Sequence, residues 1–219
     1  MTDADPTAPA PPRVSRARAA LTIVAVLTAA GALTGLVWSV LAPPARGVIA
    51  LNRSGERVHA YLGAEADHLF VSAFLLVGML SVVGVVAAVA VWQWRPHRGP
   101  LAAAALAVGT AAGSAAAAGI GAALVRLRYG VLDLDAAPVS EEHRVHHVAE
   151  APPVFFGHTP AQIALTVLFP VAAAALVYAL AAVAAVRDDL GGWPPQESAI
   201  DPVPTTGGAL PADPAPPSR

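Results

Sequence analysis

The chain has 219 residues, of which 56% are hydrophobic and 13% charged, and its mean hydropathy is +0.59. Soluble domains average roughly 45–50% apolar and about 25% charged residues, so this composition excludes an ordinary soluble domain as well as a wholly disordered chain. Cys is absent, which removes disulfides, thiol redox chemistry, Cys nucleophiles and Cys-bound metal clusters. The net charge of -2 provides no basic footprint for nucleic acid, so none is expected as a partner.

Residues 1–18 open the chain with a Pro-rich stretch that ends in Arg13, Arg16 and Arg18, and read as a disordered leader. Four uncharged runs follow, at residues 19–42, 69–92, 101–125 and 161–186. A bilayer core of about 30 Å needs about 20 apolar residues in helical form, and each run meets that length. The first exceeds the 7–15 apolar residues usual in a cleavable signal peptide, and Pro43 and Pro44 follow it, so it reads as a retained anchor. The third run is mostly Ala and Gly. Its alternative is a helix buried among the other three. Thr159, Pro160 and Gln162 have the spacing of a capping box that starts the fourth run, and Gly99-Pro100 makes a weaker start for the third. Pro170 falls inside the fourth run and predicts a kink there. Trp38, Tyr61, Phe70, Trp92, Trp94, Tyr129, Phe155, Phe156 and Trp193 cluster near the run ends, where amphipathic rings favour headgroup depth.

The runs contain no Asp, Glu, Arg or His. Ion and proton pathways use intramembrane charges, so the composition argues against a pump, a charge-driven transporter or an intramembrane aspartyl protease. The hydroxyl groups inside the runs are expected to bond back to the preceding helical turn. Gly31 and Gly35 are four apart, as are Gly109 and Gly113. Small residues at that spacing let helices approach closely. The expected use is packing within this chain, with homodimerisation through the Gly109/Gly113 face as the sharper alternative.

Two longer loops, 43–68 and 126–160, emerge on one side. In the first, apolar stretches on either side of Ser54-Gly55 predict a β-hairpin, which is marginal alone and is expected to lean on the second loop or on headgroups. Glu65 and Asp67 precede the second run and suit a positive helix N-terminus. In the second loop, residues 140–150 read as a short helix capped by Ser140. On a helix, His143 and His147 would be neighbours, and so would His146 and Glu150. That spacing makes His143, His146 and His147, with Glu150, a candidate metal or proton-sensing set. The competing reading is a solvated amphipathic stretch. No cofactor motif accompanies it.

Residues 35–43, reading Gly-Leu-Val-Trp-Ser-Val-Leu-Ala-Pro, resemble the exit of the first span in the domain of unknown function 2567 family, uncharacterised membrane proteins of high-GC Gram-positive bacteria. Glu65-Ala66-Asp67 with Phe70 and Gly78, and the Gly-rich third run, are similar too. The resemblance covers roughly residues 21–187 by layout. It implies a small four-span membrane protein with no assigned activity and no catalytic residues to carry over, and it does not include the His-rich stretch.

The sequence therefore predicts an all-α four-helix transmembrane bundle (residues 19–186) with a small outer β-hairpin and a disordered Pro-rich tail (187–219). Arg13, Arg16, Arg18, Arg95, Arg98 and Arg187 crowd the short flanks of one set of ends, which places both termini in the cytoplasm of a plasma-membrane protein. The expected role is non-enzymatic, as an envelope-associated scaffold or accessory subunit in the lipid bilayer, with a membrane protein or a second copy as partner. The alternatives are an outer-face metal or pH sensor built on the His-rich loop, and an oligomeric transporter or channel subunit.

Overall fold

The computed structural model describes residues 14–154 and 159–185. Most of them lie in four helices: α1 (Arg16–Leu41), α2 (Asp67–Gln93), α3 (Pro100–Tyr129) and α4 (Pro160–Val183). Three strands join them, β1 (Ala45–Leu51), β2 (Arg57–Tyr61) and β3 (Val145–Glu150). The expected leader up to Arg13, the segment containing Phe155, Phe156 and His158, and the expected Pro-rich tail with Arg187 and Trp193 lie outside the described residues.

The helices have 24 to 30 residues. At 1.5 Å per residue they are about 36–45 Å long, against a hydrocarbon core of about 30 Å. All four are long and apolar enough to cross a membrane. They overrun some of the expected boundaries because a helix stops at a cap, whatever the end of the apolar run. Ser15 accepts the Arg18 N–H and starts α1 at Arg16. Gly130, at φ 84°, closes α3 only after Arg126 and Arg128 have added cations to its negative end. Thr159 and Gln162 form the capping box of α4, whose helix continues through a buried Pro170.

Around the bundle the neighbours run α1, α3, α4, α2. The closest seam is α1 on α3. There the backbone of Gly31 lies against that of Gly113, Gly35 faces Ala117, and Gly109 faces Val24 and Leu27. α1 covers Gly109 and Gly113, so within this chain the stripe packs helix on helix. α3 is the most enclosed helix: 44% of its most apolar stretch is buried, against 22–33% in the other three. Its Ala and Gly content thus reflects neighbouring helices. The outward side chains of the bundle remain apolar, with Leu33, Phe74, Val86, Leu165 and Phe169 all at least 60% exposed, as a lipid-facing surface requires.

Seven of the hydroxyls inside the helices donate to a carbonyl three or four residues back, including Thr28 to Val24 and Thr110 to Leu106. Ser72 differs, reaching the Pro152 carbonyl at 3.3 Å, and Ser114 is buried without a partner. Trp38, expected at headgroup depth, is instead fully buried inside the bundle, where its indole N–H donates to the Ser72 carbonyl at 2.8 Å. Gly121 makes room for this ring, since a Cβ there would stand 2.7 Å from its edge.

The strands form one antiparallel sheet in the order β2-β1-β3. The hairpin turns at residues 52–56, where Asn52 Oδ1 accepts the N–H groups of Ser54 and Glu56 and Gly55 takes φ 80°. The third strand is a correction. Residues 145–150, expected as a helix, pair with β1 from Val145 opposite Ala50 to Glu150 opposite Ala45. A strand here satisfies the backbone groups on the open edge of β1, which a helix would leave unpaired. The architecture is therefore helical with a small sheet across the end of the bundle that carries the two long loops.

Candidate functional site

The sheet is anchored to the helices by a polar clasp. The Glu65 carboxylate accepts the Arg46 N–H at 3.0 Å and lies 3.1 Å from His68 Nδ1. His68 Nδ1 is also 3.0 Å from the Pro44 carbonyl. Both neighbours of this nitrogen are acceptors, so Nδ1 carries the proton. The Arg46 N–H, chiefly, and the nearby His68 hold the Glu65 carboxyl below its ordinary value. Glu65, expected to complement the helix N-terminus, thus ties β1 to the start of α2, while Asp67 occupies the first turn.

On the covered face of the sheet, Tyr61 of β2 reaches across β1 and donates its hydroxyl to Glu150 Oε1 of β3 at 2.6 Å. Gly47, the residue of β1 paired with Tyr61, leaves room for the neighbouring His59 ring: a Cβ there would lie 2.7 Å from His59 Nε2. The His59 ring packs edge-on against Tyr61, 4.7 Å between centroids. Burial, and then the hydrogen bond and negative charge of Glu150, push the Tyr61 phenol up to about 12. A folded value above the ordinary 10 stabilises the protein fully below pH 10, and that contribution disappears as pH rises through 12. In a spectrophotometric titration of the folded protein, Glu150→Gln is expected to bring the ionisation of this phenol down toward 10. An unchanged profile would count against the assigned pairing.

Tyr61 and Glu150 stand at the rim of a cleft of about 810 Å³ between the sheet-side halves of α2, α3 and α4. Phe70, Ala118, Gly119, Ala122, Ile163 and Val167 supply apolar walls, and Arg126 adds a cation at the same rim. A large apolar pocket with a few polar groups at one end has the form of a site for a small amphiphile.

The His-rich set is not assembled. His143 precedes β3, and its N–H donates to Ser140 Oγ at 3.1 Å in a turn. His146 and His147 are adjacent in β3 and therefore point to opposite faces. Residues four apart are neighbours on a helix but about 13 Å apart on a strand, which separates His146 from Glu150, while His143 lies outside the strand that carries His147. Among the described residues no three His, Asp or Glu side chains gather to hold a metal. Glu150 instead serves Tyr61. Sequence reasoning placed Tyr61 only as a boundary aromatic. The signal that identifies the pair is the β1–β3 register, available once residues 145–150 are read as a strand.

A model of the family described as "Protein of unknown function (DUF2567)" matches residues 27–192. The chain belongs to this family. An uncharacterised protein of Mycobacterium tuberculosis (strain ATCC 25618 / H37Rv) is 51% identical over 177 residues, covering 80% of this chain and 90% of the relative. An uncharacterised protein of Mycobacterium leprae (strain TN) is 50% identical over 177 residues, covering 81% and 89% respectively. No solved structure matches the chain. The match takes in α1 from Leu27 onward, the sheet, and α2, α3 and α4, so the Gly31–Gly113 contact and the cleft fall within the DUF2567 region.

Proposed function

We propose that this DUF2567 protein is a multi-pass plasma-membrane protein with both termini in the cytoplasm and the sheet on the outer face, acting without catalysis as an accessory or scaffold subunit of the envelope. In this reading its cleft seats the apolar body of a membrane amphiphile, with the polar end of the amphiphile at Tyr61, Glu150 and Arg126. The observation that carries it is the cleft itself, apolar along the helices and polar only at its rim. The orientation is supported by Arg16, Arg18, Arg95 and Arg98 at the opposite end of the bundle, since arginines in short flanking segments favour the cytoplasm.

The test uses a chain-labelled photoreactive phospholipid in membranes containing the full protein. Crosslinks are expected on α3 and α4 at the cleft walls. Gly119 lines the cleft, and a Cβ there meets nothing within 4 Å, so Gly119→Leu fills the space without disturbing a neighbouring helix. That variant is expected to lose most of the crosslinking while remaining folded. Equal labelling of the variant removes the cleft from the proposal. Because the chain has no Cys, Ser54→Cys and Ser218→Cys each report one side of the membrane. Labelling of Ser218→Cys from outside intact cells reverses the orientation. Copurification of a stoichiometric membrane partner is the result expected of an accessory subunit.

A further inference from the structure

The cleft beneath the sheet carries two charged side chains, one of each sign, Glu150 and Arg126. Every other described residue lining it is uncharged. The sheet holds Glu150: its backbone lies opposite Ala45, and its Oε1 accepts the Tyr61 hydroxyl at 2.6 Å. Arg126 stands in the last turn of α3. Their neighbours in the chain, Ala151 and Val125, belong to one buried cluster, and β3 touches α3. The two charges therefore share one end of the cleft, each fixed to a different element.

Neither charge is fully engaged within the protein. Glu150 and Arg126 form no ion pair with each other, and the Arg126 guanidinium has no hydrogen-bond partner among the described residues. Glu150 uses Oε1 for Tyr61, which leaves Oε2 open while the phenol fixes the direction of the carboxylate. A cation and an anion held apart at the mouth of an apolar cleft suit a ligand that brings both counter-charges. Each of them then gains a charge-assisted hydrogen bond where water is partly excluded. A head with a single negative charge would meet Glu150 as a like charge, and a purely cationic head would meet Arg126 in the same way. The rim sums to zero, and the complementary head does too.

We propose that the cleft selects a phospholipid with a phosphoethanolamine head, its phosphate on Arg126 and its primary ammonium on Glu150. This rests on the reading of the cleft as an amphiphile site and names the head that it takes. The guanidinium fork matches a phosphate, and a primary ammonium carries N–H donors for a carboxylate oxygen. Tyr61 is a positioning residue, acting through Glu150. Phe70 and Ile163 line the cleft and are also exposed, so it opens onto the outward surface of the bundle and lets acyl chains run on into the bilayer.

The experiment uses the full chain purified in a neutral detergent and native mass spectrometry with three lipids of identical chains. Phosphatidylethanolamine has both charges and the N–H donors. Phosphatidylcholine keeps both charges but has no N–H, and phosphatidylglycerol keeps the phosphate without the cation. Phosphatidylethanolamine is expected to bind about tenfold more tightly than either, the worth of one charge-assisted hydrogen bond. Glu150→Gln is expected to remove that preference, bringing phosphatidylethanolamine to the level of phosphatidylcholine. Arg126→Gln is expected to weaken both about tenfold, through the phosphate that they share. Gly119→Leu, which fills the cleft, is expected to lose all three lipids. Three lipids bound equally by the unmodified protein and lost in Gly119→Leu overturn the head-group inference and leave the amphiphile reading standing. No binding, or binding that Gly119→Leu does not change, overturns both. If Glu150→Gln does not fold, Arg126→Gln at its exposed position decides: a folded Arg126→Gln protein that keeps phosphatidylethanolamine in full overturns the proposal.

Discussion

Gly31→Ala is expected to destabilise the bundle by about 3 kcal/mol, toward the upper end of overpacking costs, whereas Gly78→Ala is expected to be neutral or stabilising. A Cβ on Gly31 falls on the carbonyl and Cα of Gly113. On Gly113 it would stand 2.6 Å from the Leu27 carbonyl oxygen. These are backbone atoms of a facing helix, which have no rotamer to change, so α1 and α3 must separate along their whole contact. Close helix approach supplies much of the association energy where water is absent, because lipid offers no hydrophobic drive between helices. Gly78 also lies within a helix, but a Cβ there meets nothing within 4 Å. Alanine at that position simply removes the helix cost of glycine, about 0.5–1 kcal/mol. Thermal unfolding in mild detergent, followed by helicity, distinguishes the two. Equal shifts for both variants would show that the seam does not hold the bundle.

Trp38→Ala is the second large effect, with an expected loss of about 4 kcal/mol. The ring is fully buried and packs with Leu76, Leu80, Ala117 and Val125 in the core cluster nearest the sheet. Its removal leaves a cavity among the ends of three helices, beside Ala151, which continues from β3. The Ser72 carbonyl also loses its second donor. Trp38→Phe keeps most of the volume and gives up only the indole hydrogen bond, an expected cost of about 1 kcal/mol. The ordering should appear in melting temperatures, and hydrogen exchange should quicken in Trp38→Ala first at the sheet end. A Trp38→Ala protein as stable as Trp38→Phe would place the ring at the lipid surface, where the position of Trp38 near the end of the first run first suggests it.

The placement of Trp38 combines a local signal with a distant one. Its sequence position near the end of an apolar run is real, since α1 stops at Leu41. Whether it faces lipid or protein depends on Gly121, far along the chain in α3. The His-rich stretch follows the same logic at larger cost. Its local spacing is compatible with a helix, and only the unpaired edge of β1, roughly a hundred residues earlier, makes it a strand. That change of period moves His143, His146 and His147 apart and brings Glu150 to Tyr61. At the other end, Trp92, Arg98 and Tyr178 lie on separate segments. Tyr178 stacks edge-on against Trp92 and exchanges hydrogen bonds with Gly99, a cluster with no local signature.

By itself the sequence determined the four long apolar helices, the capping box at Thr159, the hairpin turn and the exclusion of charge from the runs. Each follows from short-range chemistry: helix length against bilayer thickness, the valence of a cap, the conformational freedom of a Ser-Gly turn. Only the tertiary structure decided which face of α3 meets α1, that the second long loop completes a sheet, and that a cleft forms between α2, α3 and α4. These depend on contacts between residues distant in the chain. In a run this rich in Ala, Gly, Leu and Val, nearly every face is apolar, so periodicity cannot mark the one that is buried, and backbone proximity chooses it.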